Sequence, residues 1–588
     1  MLPSVTLFTL LIASFLSPLA SADPIQVSIP SKPPSTHVVN SNFLGISFEL
    51  SFLDEYFGNN TSTIPPTVIN YLSVLHSRID NGPVRMRIGG NSADDSTYVP
   101  TQTSAMEQFT SSTADSDDQP VDYGPVLWDV LNKVASDVGG AAYLIALSLR
   151  DPNSTYIPSL AADAAQKLGD TLDGFLLGNI DDRPIKEPDL YTSHGNRPNL
   201  KNYTTAIYMS EFQSVLNRLK DTSSGNILDK HDIGGPSICC DWSLDALIND
   251  GYTASFGNVL KYIALQHYPQ NNCFGSYQFE IPYYVQHSNV VNLAAWQNSG
   301  IDLVLSSTGS NKQEVVMSEF NSASCGGIPG ISNTFAVGSL WTVDYALQMA
   351  SVGYSAAYLH TREQGISYNL FAPPAGAAAL SDPWTTNTPF YSLLVTAEAL
   401  RSRNGSIVTD LDINGSKKNS NVSVSGYAVY DAVDSTVLQL VFFNYANVSS
   451  SAGSSASFAI PSGVFSSSKS SSLTVKYLVG DSMAEGKNIA WGGETFANVS
   501  DGKPIAANAS WAPANSQIEC SNGCTINVPG PGMAVVFANG APGSQTTTTT
   551  ASGGSPTAVV KTASSSANNN IIYMSTVTLS ALLTAFLV

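Results

Sequence analysis

Positive charge is what this chain has least of. Lys and Arg number 26 against 46 Asp and Glu, a formal net charge of −20, and only 12% of the residues are charged at all. A surface so short of cations repels phosphodiester backbones and anionic lipid headgroups, so nucleic acid and a direct membrane surface are excluded as partners. Histidine is scarce as well, with 7 in all, and none stands at zinc spacing from a cysteine, so a metal site is rejected. A glycine-rich phosphate loop after an early strand is also missing; RIGGNS at 87–92 is not that pattern. Cysteines are few. Cys520 and Cys524, with Ser-Asn-Gly between them, are placed to staple a tight loop, while the pairing among Cys239, Cys240, Cys273 and Cys325 stays open.

What is present is length and apolar surface. The 588 residues, 43% of them hydrophobic, exceed one compact core and predict two domains with tails. Residues 7–16 form an apolar core before Ala20-Ser21-Ala22, a small-x-small cleavage site, so 1–22 reads as a secretory leader, although its first residues carry no Lys or Arg. Sequons at Asn59 or Asn60, Asn153, Asn202, Asn404, Asn414, Asn421, Asn447, Asn498 and Asn508 fit a secreted glycoprotein. Residues 541–570, rich in Ser, Thr, Ala and Asn, predict a disordered stalk. The apolar tail 571–588 follows small residues and a polar spacer, as in a GPI-anchor signal; a membrane span is the alternative, though no cations follow it. The expected location is extracellular, with any membrane attachment made through this tail.

From residue 44 a rhythm sets in. Strand candidates at 44–50, 84–90, 141–149, 174–179, 231–237, 262–269, 314–320 and 355–362 alternate with helical spacing at 65–79, 121–138, 157–172, 206–219, 243–260, 290–299, 335–351 and 389–402. Parallel strands need long crossovers, and eight such units predict an α/β fold of (β/α)8 type, a TIM barrel spanning 36–402. After about residue 407 the helical period disappears. Alternating runs at 422–429, 437–445, 456–460, 473–479 and 533–538 predict an antiparallel β-sandwich over 403–540, which a lone strand within 23–35 is expected to join.

Reactive groups of such a barrel lie at the C-terminal strand ends. Those ends offer Glu49, then Arg87, Asn91 and Asp94, then Asn179 and Glu187, then His267 and Tyr268, then Glu319 and Asn321, and finally His360, Arg362, Glu363 and Gln364. Two carboxylates across one mouth suit glycoside cleavage, one protonating the leaving oxygen and the other attacking the anomeric carbon.

SEFNSASCGG at 318–327, LWTVDYALQMASVGY at 340–354, AAYLHTREQGISYNLF at 356–371, RIGGNSADDS at 87–96 and QHYP at 266–269 resemble glycoside hydrolase family 79, the heparanase-related β-glucuronidases, in its secreted fungal branch. The resemblance covers 24–540. It implies retaining, exo-acting cleavage of β-glucuronides on a carbohydrate substrate, with no cofactor. The nucleophile maps to Glu319 and the acid/base to Glu187. Asn179 is assigned to the sugar 2-hydroxyl, Tyr268 to the nucleophile, Asn91 to the substrate, and the backbone N–H groups around Gly365, with a tyrosine hydroxyl, to the uronate carboxylate.

The sequence departs from that pattern at one point. Residues 180–186, IDDRPIK, stand between Asn179 and Glu187, and removing them restores GNEPDLY. Either the run is a misplaced splice junction translated into protein, which the intact flanks favour, or the enzyme is altered. A catalytically impaired carbohydrate-binding surface protein is therefore one alternative. An endo-acting heparanase-like enzyme is another, disfavoured by the shortage of cations.

Overall fold

The computed structural model describes residues 23–108, 119–179, 204–239, 242–308, 311–374, 383–447, 455–465 and 472–540. The expected leader, stalk and apolar tail lie outside them, as do the run 180–186 and Glu187. Among the described residues no helix is long and apolar enough to cross a membrane.

Eight runs with too few polar positions for a solvated face become parallel strands. They are Leu44–Glu49 (β1), Val84–Gly89 (β2), Ala141–Leu147 (β3), Leu172–Leu177 (β4), Ile233–Ile238 (β5), Leu260–His267 (β6), Glu314–Phe320 (β7) and Tyr354–Thr361 (β8). They close into a barrel, with β8 returning to β1 through Ala357 opposite Leu44. Leu144, Leu176, Tyr262, Ala264, Val316, Ala356 and Tyr358 pack together as one buried cluster. The barrel interior is therefore a filled core, and its chemistry is confined to the C-terminal mouth.

The helices bury one stripe against the strands. Val126–Val138 turns Leu127, Val130, Leu131, Val134 and Val138 inward and stops at Gly139, whose φ of 95° is the left-handed turn that a glycine takes without a side-chain clash. This helix starts later than its periodicity suggests. Pro125 sets its N-terminus, and Val121–Tyr123 is a strand that pairs with Thr97–Tyr98 and Met106–Gln108. The expected helix at 243–260 is two short ones, Leu244–Asn249 and Tyr252–Phe256, broken at Gly251, and Leu260 already belongs to β6. The segment at 335–351 begins as a π-helical run, Phe335–Trp341, before the α-helix Thr342–Val352.

The second domain is a β-sandwich. A nine-stranded sheet includes Ser406–Asp410, Val424–Asp431, Val437–Asn444, Gly532–Phe537 and Ser472–Gly480. A three-stranded sheet holds Ala456–Ile460 between Cys524–Val528 and the N-terminal strand Ile25–Gln26, with Ile25 opposite Phe458. Val27, Tyr430, Phe442, Phe458, Val475, Ile526 and Val536 share its core. Cys520 and Cys524 are bonded, as their spacing suggested.

Barrel and sandwich are joined by buried charge. His287, on the helix His287–Ala294, is 2.9 Å from Asp344 Oδ2 on a barrel helix and 3.0 Å from Asp410 Oδ2 on the sandwich. Tyr445 Oη donates to Asp344 Oδ2 at 2.6 Å.

Candidate active site

Strict alternation along β7 would face Val316 and Ser318 inward and turn Glu319 away. The pairing with β6 does not run evenly. Met317 lies opposite Leu265, but Glu319 lies opposite Gln266, so Ser318 is the extra residue of a bulge. A bulge of this kind re-aims the side chain that follows it, and here it turns Glu319 into the barrel mouth. Ser318 caps the irregularity by donating its hydroxyl to the Leu265 carbonyl at 3.1 Å.

Glu319 is held from two sides. Tyr268 Oη donates to Oε1 at 2.9 Å, and Arg87 Nη1 donates to Oε2 at 2.5 Å. Burial raises the cost of its charge, but nearby His360, the Arg87 guanidinium and these two hydrogen bonds outweigh it, and the carboxyl is brought down to about 2. It is a carboxylate at any ordinary pH. Arg87, 1% exposed, also donates to Ser47 Oγ at 3.0 Å and to Asn179 Oδ1 at 3.1 Å. Asn179 Oδ1 accepts a second bond from Gln266, and its Nδ2 donates to Asn91. The Asn179 amide is therefore fixed in orientation by three partners.

A second carboxylate lies two strands along the barrel, on the far side of β8 from Glu319. Glu49, at the end of β1, accepts from the Ser92 backbone N–H at 2.9 Å and from its hydroxyl, and meets His360 Nε2 at 3.2 Å. Burial opposes its charge, but the His360 bond and the charges of His360 and Arg362 leave its carboxyl below the usual range. Gly90, at φ 86°, provides the room: a Cβ there would sit 2.2 Å from both Glu49 oxygens. Ser47 Oγ lies 3.1 Å from His360 Nδ1 and already accepts from Arg87.

Glu319, Tyr268, Asn179, Asn91, Glu49 and His360 line a cavity of about 270 Å³ together with Gln266, His267, Trp296, Arg362 and Tyr368. Of the residues singled out from the sequence, Glu49, Asn91, Asn179, His267, Tyr268, Glu319, His360 and Arg362 meet there. Gly365 does not. It is exposed on the loop after β8, outside the lining, and the cavity wall on that side is made by Arg362 and Tyr368 instead. Glu187 lies outside the described residues; among the described ones, the carboxylates on the wall are Glu49 and Glu319.

Sequence reasoning missed Gln266 and Trp296. Gln266 shares the inward period of Tyr262 and Ala264, so the strand pattern contained it. Trp296 reaches the wall from a helix connection by stacking on His267, at 4.4 Å between centroids, and nothing local announces that. Burial pushes His267 down to about 4, so its ring is neutral beside the indole. The wall is also braced by the Cys273–Cys325 disulfide, a pairing that spacing alone left open.

Residues 426–535 match the family model of the glycosyl hydrolase family 79 C-terminal beta domain. No curated protein matches the chain by sequence. Among solved structures the chain is similar to a 4-O-α-L-rhamnosyl-β-D-glucuronidase from Fusarium oxysporum, solved with Rha-GlcA: TM-score 0.65 and 19% identity over 87% of this chain and 100% of that one. It is also similar to family 51 α-L-arabinofuranosidases from Bifidobacterium longum (TM-score 0.53, 12% identity, 88% and 100% coverage) and Thermotoga maritima (0.52, 13%, 87% and 99%). At these identities the likeness speaks for the architecture, and the barrel-plus-sandwich expectation is borne out. The expected family resemblance is borne out by the matched β domain, and together these comparisons support a glycoside hydrolase.

Proposed function

We propose, from the premise that this chain carries the C-terminal β domain of glycoside hydrolase family 79 and is a glycoside hydrolase, that it is a retaining exo-β-glucuronidase. The observation that carries the reading is Glu319: a buried carboxylate, ionised, aimed into the mouth by a bulge and hydrogen-bonded by Tyr268 and Arg87. A carboxylate so held is a nucleophile rather than an acid. The similar Fusarium oxysporum structure is named for a β-glucuronidase, which supports the choice of sugar.

The reaction follows as a double displacement. Glu319 attacks the anomeric carbon while the glycosidic C–O bond breaks, and the Glu187 carboxyl gives its proton to the leaving oxygen. Water then attacks the glycosyl ester, Glu187 takes the water proton, and Glu319 leaves as carboxylate with the anomeric configuration retained. Asn179, oriented by Arg87, Gln266 and Asn91, is assigned to the 2-hydroxyl. Arg362 and Tyr368, on the β8 side of the cavity, take the uronate carboxylate in place of the Gly365 backbone. A cavity of about 270 Å³ suits one sugar ring better than a run of polymer, which favours exo action.

The test is turnover of a chromogenic β-glucuronide. Glu319→Gln is expected to lower kcat by about 10³-fold or more with the fold intact by circular dichroism. Retained activity rejects Glu319, and proton NMR of the first-formed product checks retention. The run 180–186 favours a second reading, an impaired carbohydrate-binding protein. Glucuronide binding without turnover by the parent chain, with the seven codons confirmed in the transcript, decides for it.

A further inference from the structure

Aromatic side chains in this protein are packed away almost everywhere. Among the described residues the large aromatic side chains left exposed are Phe274, at 70%, and Tyr277, at 43%, and they stand three positions apart on the loop after β6. Isolated exposed apolar residues are ordinary, but two rings on one short loop beside a cavity are not scattered exposure. The rings that follow are covered at least in part: half-buried Phe279 stacks at 3.8 Å on Tyr283 of the short helix Ile281–Tyr284, and buried Tyr284 packs edge-on against Trp341.

The loop is held rigidly against the cavity. Gly275 N–H donates to the Asn272 carbonyl at 3.1 Å and closes a turn with Cys273 and Phe274 at its two corners. Cys273 is bonded to Cys325, which lines the cavity. Asn272 N–H donates to the Ser324 carbonyl at 3.2 Å, Ser324 N–H donates to the Gln270 carbonyl at 3.0 Å, and Asn272 Nδ2 donates to the Gly327 carbonyl at 2.9 Å. Gln270, Asn271 and Ser324 all line the cavity. One corner of the turn is thus anchored to the cavity wall, and the next residue, Phe274, stands at its rim with its ring in water.

We propose that Phe274 and Tyr277 form an aglycone platform, a subsite on which the sugar next to the cleaved bond lays its apolar C–H face. The proposal rests on the glycoside hydrolase reading and extends it outside the cavity. Carbohydrate is the occupant the surroundings favour. The loop is continuous with the cavity through the Cys273–Cys325 link, so a residue leaving the cavity meets these rings next. The net charge of −20 favours a neutral aglycone over a polyanionic one. A sugar presents hydroxyl edges to water while its C–H face covers an aromatic ring, the arrangement that amphipathic rings at wet sites serve.

The experiment uses the full chain with Glu319→Gln, so that ligand persists, alone and combined with Phe274→Ala/Tyr277→Ala. Binding of methyl β-D-glucuronide, cellobiosyl β-D-glucuronide and free cellobiose is titrated by ligand-observed NMR. Loss of both rings is expected to weaken the cellobiosyl glucuronide and cellobiose by about tenfold and to leave methyl glucuronide within about twofold. Unchanged cellobiose and cellobiosyl affinities overturn the platform. Sedimentation is run in parallel: an oligomer that dissociates on loss of the rings, with sugar affinities unchanged, assigns them to a second copy of the chain and overturns it too. Failure of methyl glucuronide to bind sinks the glucuronidase reading separately, because cellobiose reports on the loop without the uronate pocket.

Discussion

The Tyr268 hydroxyl stands 2.9 Å from Glu319 Oε1 and donates to it, while Arg87 holds the other oxygen. Each hydrogen bond favours the charged carboxyl, and so each sets where on the acid side the site fails. Glu319 ionises at about 2 in place of the ordinary 4.5, so its charge is lost only as pH falls through about 2. Tyr268→Phe removes one of the stabilising bonds. The acid limb of kcat/KM should move to higher pH, and its plateau should fall by about 10–10²-fold. A pH–rate profile of both proteins checks it, and an unmoved limb would detach Tyr268 from the ionisation of Glu319.

Gly90 gives a sharper structural test. Its φ of 86° disfavours any other residue, and a Cβ would lie 2.2 Å from the Glu49 oxygens. Gly90→Ala should therefore displace Glu49 and, through His360, the wall beside Glu319. A stability loss of about 1–3 kcal/mol is expected from the backbone and the clash. The fall in kcat, about 10²-fold for a displacement near 1 Å, should exceed what partial unfolding explains. Urea titration and initial rates on one preparation separate the two effects.

His287 makes the protein's alkaline stability predictable. Burial opposes its charge, but Asp344 and Asp410, through charge and hydrogen bonds, raise it from 6.5 to about 10. A group raised on folding contributes fully below its unfolded value and loses its contribution as pH climbs to the folded one. The Tm should thus decline between about pH 6.5 and 10. His287→Gln leaves two buried aspartates without their imidazolium, at a cost of about 3–5 kcal/mol near neutrality. Its Tm should be nearly flat over that window, and a parallel decline in both proteins would refute the assignment.

The overlapping sequons at Asn59 and Asn60 are separable. Asn59 donates Nδ2 to the Met106 carbonyl at 2.8 Å and accepts from the Met106 N–H at 2.7 Å, so both ends of its amide are committed, whereas Asn60 is exposed. Secreted from a eukaryotic host, the protein should carry its glycan on Asn60. Glycopeptide mass spectrometry after deglycosylation in heavy-oxygen water reads the site directly.

The barrel was legible because its strands are buried on both sides and read as unbroken apolar runs; 314–320 was placed without error. The helix at 121–138 was drawn too long because periodicity alone overlooks Pro125, which separates a strand from the helix behind it. The short sandwich strands Ile489–Trp491, Glu494–Thr495 and Ile505–Ala506 went unread because two or three residues do not establish a period. Glu319 could be picked out as a strand-end carboxylate, but the reason it faces inward could not. The bulge at Ser318 is a property of how β7 meets β6, and no window of one strand contains it. The Cys273–Cys325 link escaped for a related cause, since it joins two loops whose proximity the barrel creates.

The seam between Ile25–Gln26 and Ala456–Ile460 has a mechanical meaning. The first described strand and the last, Gly532–Phe537, both end in the sandwich, with the whole barrel looped out between them. Tension applied at the two ends of the described chain would therefore fall on the sandwich first, peeling its short edge strand. Once that two-residue strand is free, the pull passes along the chain to Leu44 and so to the first barrel strand.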